Sequence, residues 1–232
     1  MTISRATKKY TRITSITFTS VISIVFPHLI NEENDRILEL NLRMIKENTT
    51  CPYEVLYVAS TPRHDLVYTG LDWLIRQAQY EYILWHSTDV VLSYNWNENV
   101  LKADGDWICL ELIEPGIIGV SPTNITKNFG MTAETFDRKA FEEYAKERQE
   151  REPYREGFGW YSPSAWRKQW YIDNGGFCLD EHFPEPMDME FKDHVKDSRF
   201  VVANSYAYHF QRARENTGDR DEEYRKTWKP RR

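Results

Sequence analysis

The stretch Val21-Ile-Ser-Ile-Val-Phe26 is a nearly continuous run of apolar, mostly β-branched residues, and Pro27 follows it directly. A strand with apolar residues on both faces is typical of a parallel sheet that is covered by helices on both sides. We therefore predict a buried parallel strand here, with Pro27 as its end.

Two more strand signals follow, and a helical pattern precedes each of them. Asn31 is a suitable N-cap for the first helix, whose first turn is acidic. We predict strands over 53–58 and 82–85 and a second helix over 65–79. The apolar faces of the two helices are Ile37, Leu38, Leu42 and Ile45 in the first, and Leu71, Leu74, Ile75 and Ala78 in the second. This βαβαβ order predicts a parallel sheet with right-handed crossovers.

The second half of the chain is organised differently. Strand patterns over 107–113 and 117–120 have no helix between them, 133–152 is a highly charged helical segment, and 153–171 is rich in Trp and Tyr. A strand pair over 200–210 ends near His209. We find no internal repeat, so we predict one domain with two lobes, about 20–125 and 126–212, and tails at 1–19 and 213–232.

Composition excludes some classes of protein. The 232 residues carry a net charge of −6, which gives no general attraction to nucleic acid. Three cysteines without pairing logic indicate a reducing compartment. The apolar run from residue 22 to 30 is far shorter than the roughly 20 residues that span a bilayer, and the N-terminus lacks an apolar signal core. We expect a soluble, cytoplasmic protein.

Two short segments concentrate polar residues. His86-Ser87-Thr88-Asp89 follows the third strand, and ligands bind at the carboxyl ends of strands in open α/β sheets. Gly175-Gly176-Phe177 permits positive φ or a close backbone approach. It leads into Pro186-Met187-Asp188-Met189-Glu190, where a carboxylate lies among apolar residues.

These segments, in this order, resemble the GT-A glycosyltransferases of the large inverting family two. The resemblance runs from about residue 20 to 212. It implies an α/β protein with the GT-A (Rossmann-like) three-layer α/β/α fold and a central mixed, mainly parallel sheet. It also implies an enzyme that uses a nucleotide-sugar donor.

On the donor side, the resemblance implies that Asp89 binds Mn²⁺ or Mg²⁺, which bridges the donor diphosphate, and that His209 contributes to the metal site. Ser87 also belongs to this donor segment, but Ser87 and Thr88 replace the family's other acids. A hard cation does prefer oxygen ligands. The structural alternatives are an Asp that caps a loop by bonding to backbone amides and a His that is packed in the core.

The segment Pro27-His28-Leu-Ile-Asn31-Glu32-Glu33 resembles the family's Pro-x-x-Asn-Glu-Glu loop, which lies along the donor nucleoside. The resemblance therefore places Pro27, His28, Asn31 and Glu32 in the donor site. The expected donor is a UDP-sugar. The family's Asp that usually contacts the nucleobase corresponds to Ala59 here, so the identity of the base stays open.

On the acceptor side, the resemblance implies that Asp188 is the general base and that Gly175, Gly176 and Phe177 border the acceptor. The family's preceding Glu is Met187 here, and its following Asp is Glu190. Trp160 belongs to an aromatic stretch that would either stack on an acceptor or pack the lobe. An acid in the first turn of a helix would also stabilise the helix dipole without any catalytic role.

The resemblance thus implies a metal-dependent inverting glycosyltransferase that acts on a glycan or another hydroxyl acceptor. One alternative is a phage-type enzyme that glycosylates hydroxylated DNA bases, because arginines accompany the aromatic stretch. Another is a non-catalytic module that binds a nucleotide sugar or glycan, for which the thinned metal motif and Ala59 are the evidence.

Overall fold

The computed structural model describes residues 10–14, 22–60, 64–116, 124–149, 152–160, 162–178 and 187–210. These residues form six α-helices and one ten-stranded sheet. The strands are β1 (Tyr10–Thr14), β2 (Ile22–Leu29), β3 (Tyr53–Ser60), β4 (Tyr82–Trp85), β5 (Val90–Leu92), β6 (Trp107–Glu114), β7 (Ile125–Thr126), β8 (Tyr154–Glu156), β9 (Ser164–Arg167) and β10 (Phe200–His209). The helices are α1 (Glu32–Asn48), α2 (His64–Gln77), α3 (Trp96–Lys102), α4 (Arg138–Gln149), α5 (Lys168–Asp173) and α6 (Met187–His194), and Gly176–Cys178 forms a 3₁₀ turn.

The predicted βαβαβ half is confirmed. Strand β2 pairs in parallel with β3 on one side and β4 on the other, and α1 and α2 are the crossovers. Asn31 caps α1, since its side chain accepts a hydrogen bond from the amide of Asn34 at 2.8 Å. The apolar faces predicted for both helices are buried or packed against the core.

The prediction that Pro27 ends the first strand is wrong. Pro27 pairs in register with Val58, and β2 continues to Leu29. The carbonyl of Val25 accepts a hydrogen bond from the amide of His86, so the backbone N and O atoms of Val25 point toward β4. Those of Pro27, two residues later, point to the same side, but β4 has already ended at Trp85. The nitrogen of Pro27, which has no hydrogen, therefore faces a side of the strand with no ladder to join, where proline is tolerated.

The second half of the sheet is mixed. Strand β9 lies antiparallel between β4 and β6, β6 and β10 are parallel, and β5 closes the edge antiparallel to β10. Six of the ten strands (β2, β3, β4, β6, β7 and β10) run in one direction, as the predicted mixed, mainly parallel sheet requires.

Three boundaries differ from the predictions. The strand pair over 200–210 is one ten-residue strand, because parallel pairing with β6 continues past a register shift between Ala203 and Tyr206. The charged helix begins at Arg138, after a turn in which Thr132 and Thr135 bond to each other and to nearby amides. Residues 10–14, predicted as tail, pair with β3 as an edge strand. The predicted strand at 117–120 and the tail at 213–232 lie outside the described residues.

Helices cover both faces of the sheet. Alternate residues of β2 face opposite sides: Ile24 packs with the face of α1 and α3, and Val25 packs with the face of α2, α5 and α6. This is the expected three-layer α/β/α arrangement. Within the described residues, no helix combines the length and the apolar character that crossing a bilayer requires.

Candidate active site

Asp89 and His209 meet at the carboxyl edge of the sheet. Asp89 lies in the turn between β4 and β5, and His209 is the last residue of β10. The pairing of β10 with β5 places His209 opposite Val90, and the amide of Phe210 donates to the carbonyl of Asp89 at 2.8 Å. As a result, Nε2 of His209 lies 3.2 Å from Oδ2 of Asp89, and both side chains are largely buried.

Glu114 completes this cluster and was not identified from the sequence. It is the last residue of β6, and its Oε1 lies 2.7 Å from Nδ1 of His209. Its second oxygen accepts from the side-chain amide of Asn124 at 2.9 Å. The sequence signal that could have identified Glu114 is a carboxylate at the carboxyl end of a buried strand, because ligands bind at this edge of the sheet.

The two residues that replace acids in the metal motif have defined roles in the turn. The Ser87 hydroxyl donates to Oδ1 of Asp89 and orients the carboxylate. The Thr88 hydroxyl donates to the carbonyl of Pro27 at 2.7 Å, and the Thr88 carbonyl accepts from Asn41 at 3.0 Å. Thr88 therefore ties the Asp89 turn to β2 and α1.

His86 supports the same turn from within the core. One ring nitrogen, Nδ1, donates to the carbonyl of Ser87 at 2.7 Å, and the ring packs on Phe26. Burial lowers the pKa of His86 to about 4, which keeps the ring neutral at pH 7. Its Nε2 is buried without a hydrogen-bond partner among the described residues.

The predicted donor loop lies beside this turn. His28 is buried, with Nε2 2.8 Å from Oδ1 of Asp35 and Nδ1 3.4 Å from the Thr88 hydroxyl. It pairs in register with Ala59, the position where the resembled family carries an Asp. Glu32 extends into solvent and pairs with Arg36 in the first helical turn, whereas Asn31 uses its side chain as the cap.

The Gly-Gly turn is held from below by a hydrogen-bond network. Gly175 and Gly176 have φ of 86° and 71°. The Tyr171 hydroxyl accepts from the Phe177 amide at 2.8 Å and donates to Oδ1 of Asp72 at 3.0 Å. The Phe177 ring is only 2% exposed and lies 5.0 Å from the ring of Trp85. Since that ring is buried, it supports the turn, and any acceptor contact there falls to the backbone of the glycines.

Asp188 is half-buried in the first turn of α6, where Oδ1 accepts from the Met189 amide at 2.9 Å. Phe191, one turn later, packs on Trp107 at the start of β6, and the chain then enters β10 beside the same residue. Helix α6 therefore packs on the same face of the sheet as α2 and α5. Two of the residues expected around Asp188, Phe183 and Pro186, lie outside the described residues.

Trp160 lies close to the carboxyl edge of the sheet. Its carbonyl accepts from the hydroxyl of Ser164 at 3.2 Å, and Ser164 pairs with Trp85, the last residue of β4. The Trp160 side chain is 39% exposed, which is a large fraction for an indole. The structure thus brings Asp89 and His209 together at the carboxyl edge, and it packs Phe177 of the Gly-Gly turn against Phe191 of α6, with ring centroids 5.6 Å apart.

A divalent cation at this edge would have Asp89 and His209 as its protein ligands. Among the described residues, no group of three or more His, Cys, Asp or Glu side chains is arranged to hold a metal. Glu114 does not add a third ligand, because it bonds Nδ1 on the far side of the His209 ring from Asp89. Two ligands on one side suit a cation whose other ligands are water and substrate phosphates, as is common for Mg²⁺.

Comparison with solved structures identifies the architecture. Crystal structures of S. aureus TarS 1-349, a GT-A glycosyltransferase, match with a TM-score of 0.51 and 12% identity. The match covers 80% of this chain and 60% of that one. The complex with UDP gives a TM-score of 0.52 at 12% identity, covering 81% and 60% of the two chains. The complex with UDP-GlcNAc gives 0.50 at 13% identity, covering 81% and 58%.

The chain has a GT-A-like glycosyltransferase fold. This confirms the fold predicted from the sequence. The chain spans about three-fifths of the length of these solved TarS structures. No protein-family model matches it, and neither does any curated protein.

Proposed function

We propose that this protein is an inverting glycosyltransferase that moves a sugar from a nucleoside-diphosphate donor to an acceptor hydroxyl. The observation that carries the proposal is the Asp89–His209 pair, 3.2 Å apart at the carboxyl edge of a GT-A-like sheet. Ligands of open α/β sheets bind at this edge. The cited TarS structures include complexes with UDP and UDP-GlcNAc, which supports a UDP-sugar as the donor here.

The donor would lie across the ends of β2 and β4. Pro27, His28 and Asn31 would line the nucleoside, with Ser87 and Asp89 at the diphosphate. Glu32 is a weaker candidate, because its side chain extends into solvent beside Arg36. A Mn²⁺ or Mg²⁺ ion at Asp89 and His209 would offset the charge of the departing diphosphate. Ser87 would hold the Asp89 carboxylate in a fixed orientation for this task.

Asp188 would take the proton of the acceptor hydroxyl. As that oxygen forms its bond to the anomeric carbon, the bond from that carbon to the diphosphate oxygen breaks, and the electron pair leaves with the diphosphate. Attack opposite the leaving group inverts the anomeric centre, and it requires the base within hydrogen-bond reach of the hydroxyl. The packing of Phe191, one turn after Asp188, against Phe177 of the Gly-Gly turn supports this assignment, and Gly175, Gly176 and Trp160 would border the acceptor.

A glycan or another small hydroxyl compound suits this site better than DNA. Three positive charges in the described part of the aromatic stretch are engaged: Arg155 pairs with Glu111, Arg167 pairs with Glu81, and Lys168 donates to the carbonyl of Ala78. Phosphate contacts from free cations supply most of the affinity of DNA-binding proteins. The free thiols of Cys51 and Cys109, whose pKa burial raises to about 11, are compatible with a cytoplasmic enzyme.

The test is thermal stabilisation and slow hydrolysis with UDP-, GDP-, dTDP- and CMP-linked sugars, with and without Mn²⁺. The test variant is Asp89→Asn, and the control is Asp104→Asn, an exposed aspartate that pairs with Arg199. We expect one donor to stabilise the protein with Mn²⁺, and only Asp89→Asn to lose the effect. Binding that persists in Asp89→Asn, without hydrolysis in either protein, would favour the non-catalytic module.

A further inference from the structure

Glu114 occupies a buried position that the proposed reaction does not itself use. Its side chain is 9% exposed and that of His209 is 8% exposed, and their 2.7 Å contact joins the ends of β6 and β10. We infer that Glu114 is a positioning residue: it holds the His209 ring with Nδ1 toward itself and Nε2 toward Asp89. This inference deepens the proposed function and rests on it for the role of the cation.

The backbone leaves these three residues little freedom. In the parallel ladder, Tyr208 pairs with Ile113, so His209 and Glu114 follow as neighbours at the end of the two strands. On the other side, β10 and β5 pair at His209 and Val90, next to Asp89. The ends of β6 and β10 and the start of β5 therefore place the three residues side by side in the order Glu114, His209, Asp89. The His209 ring contacts both carboxylates at once, with Nδ1 toward Glu114 and Nε2 toward Asp89.

The rotamer of Glu114 is fixed as well. The amide of Asn124 donates to Oε2, which leaves Oε1 for His209. A buried carboxylate is costly unless its oxygens are bonded, so this arrangement satisfies both oxygens. A ring that donates its Nδ1 proton to Glu114 presents Nε2 to any further partner, and a carboxylate in this position also makes the imidazole a better ligand.

A purely structural ion pair would have different consequences. If Glu114 only neutralised a buried charge, its removal would lower stability and leave cation affinity per folded molecule unchanged. If Glu114 orients the ring, its removal lowers cation affinity even in protein that stays folded. The two roles are separable because affinity and stability are measured independently.

The experiment compares Glu114→Gln and Glu114→Ala with Glu111→Gln, a control on the same strand whose carboxylate pairs with Arg155. Mn²⁺ affinity in the presence of UDP is measured by electron paramagnetic resonance of the free ion. We expect losses of roughly 10- to 100-fold for Glu114→Ala, a smaller loss for Glu114→Gln, whose amide oxygen still accepts from Nδ1, and none for the control. Wild-type affinity in both Glu114 variants would overturn the inference.

A second readout does not depend on metal. Nitrogen-15 spectra of histidine-labelled protein, with His209 assigned through His209→Gln, report which ring nitrogen carries the hydrogen-bonded proton. We expect a hydrogen-bonded Nδ1 proton on His209 that is lost in Glu114→Ala. If wild-type protein binds no Mn²⁺ with UDP, the metal in the proposed function fails, and this spectrum alone decides the inference: an Nδ1 proton unchanged in Glu114→Ala overturns it.

Discussion

The hydroxyl of Tyr171 donates to Oδ1 of Asp72 at 3.0 Å, and this bond connects α2 to the Gly-Gly turn. Asp72 is also bonded by Arg76, whose guanidinium reaches the carbonyl of Gly175 at 3.1 Å. The turn is therefore attached to α2 at Gly175 and, through the Phe177 amide and Tyr171, at Asp72. The segment that leads toward Asp188 starts from a fixed point.

Tyr171→Phe should destabilise the protein by about 1–3 kcal/mol, because it removes the acceptor of the buried Phe177 amide and leaves Oδ1 of Asp72 with its longer bond to Arg76. Urea unfolding measures the free energy of unfolding. The control is Tyr80→Phe, because the Tyr80 hydroxyl makes no hydrogen bond with the described part of the chain. An equal, small change in both variants would show that the network adds nothing to stability.

Gly176 is required because its φ is positive and because its neighbours leave no room for a side chain. A Cβ atom at this position would lie 2.5 Å from Oδ1 of Asp72 and 2.7 Å from the Tyr171 ring. We expect Gly176→Ala and Gly176→Asn to be destabilised alike, by more than about 2 kcal/mol in thermal or urea unfolding. Asn tolerates the left-handed backbone, so a clearly more stable Asn variant would show that backbone conformation, and not the space at Asp72 and Tyr171, requires the glycine.

The parts of the fold that could be predicted are those whose sequence patterns are local. The elements β2, α1, β3, α2 and β4 each carry their own periodicity, and the loops between them are short. By contrast, β9 has four residues, and its place between β4 and β6 comes from long-range antiparallel pairing that no local pattern encodes. The edge strand β1 lies in a basic segment without strand alternation, so its pairing with β3 was also missed.

The candidate site shows the same division. Asp89 and His209 could be proposed from the sequence because each follows or ends a strand and matches a family position. Glu114 has no such match, and only the register of β6 against β10 brings it to His209. Phe177 was expected at the acceptor, but aromatic packing in the core buried it. The approximate position of a strand is predictable from its own residues, whereas the direction in which a side chain points depends on its neighbours across the sheet.

The buried His86 should make stability depend on pH. Its pKa falls from 6.5 to about 4 on burial, so between these values the folded protein binds fewer protons than the unfolded chain. The stabilisation is complete above pH 6.5 and decreases as the pH falls toward 4, by about 2 kcal/mol between pH 7.5 and 5. His86→Gln should remove this part of the pH dependence in urea unfolding. His194→Gln, at an exposed histidine, is the control, and an unchanged pH slope in His86→Gln would contradict the assignment.

The catalytic role proposed for Asp188 can be tested separately from its effect on the helix dipole, because α6 carries two acids in its first turn, Asp188 and Glu190. Both contribute to the helix dipole, so Asp188→Asn and Glu190→Gln should each cost about 0.3–1 kcal/mol of stability. Only Asp188→Asn should lower kcat, by roughly 10²- to 10⁴-fold, since it removes the group that accepts the proton. The KM for the donor should not change, as the donor site proposed above is at Asp89 and not at Asp188. Steady-state kinetics on both variants decide the point, and equal losses of kcat would assign the effect to the helix end and leave the reaction without this base.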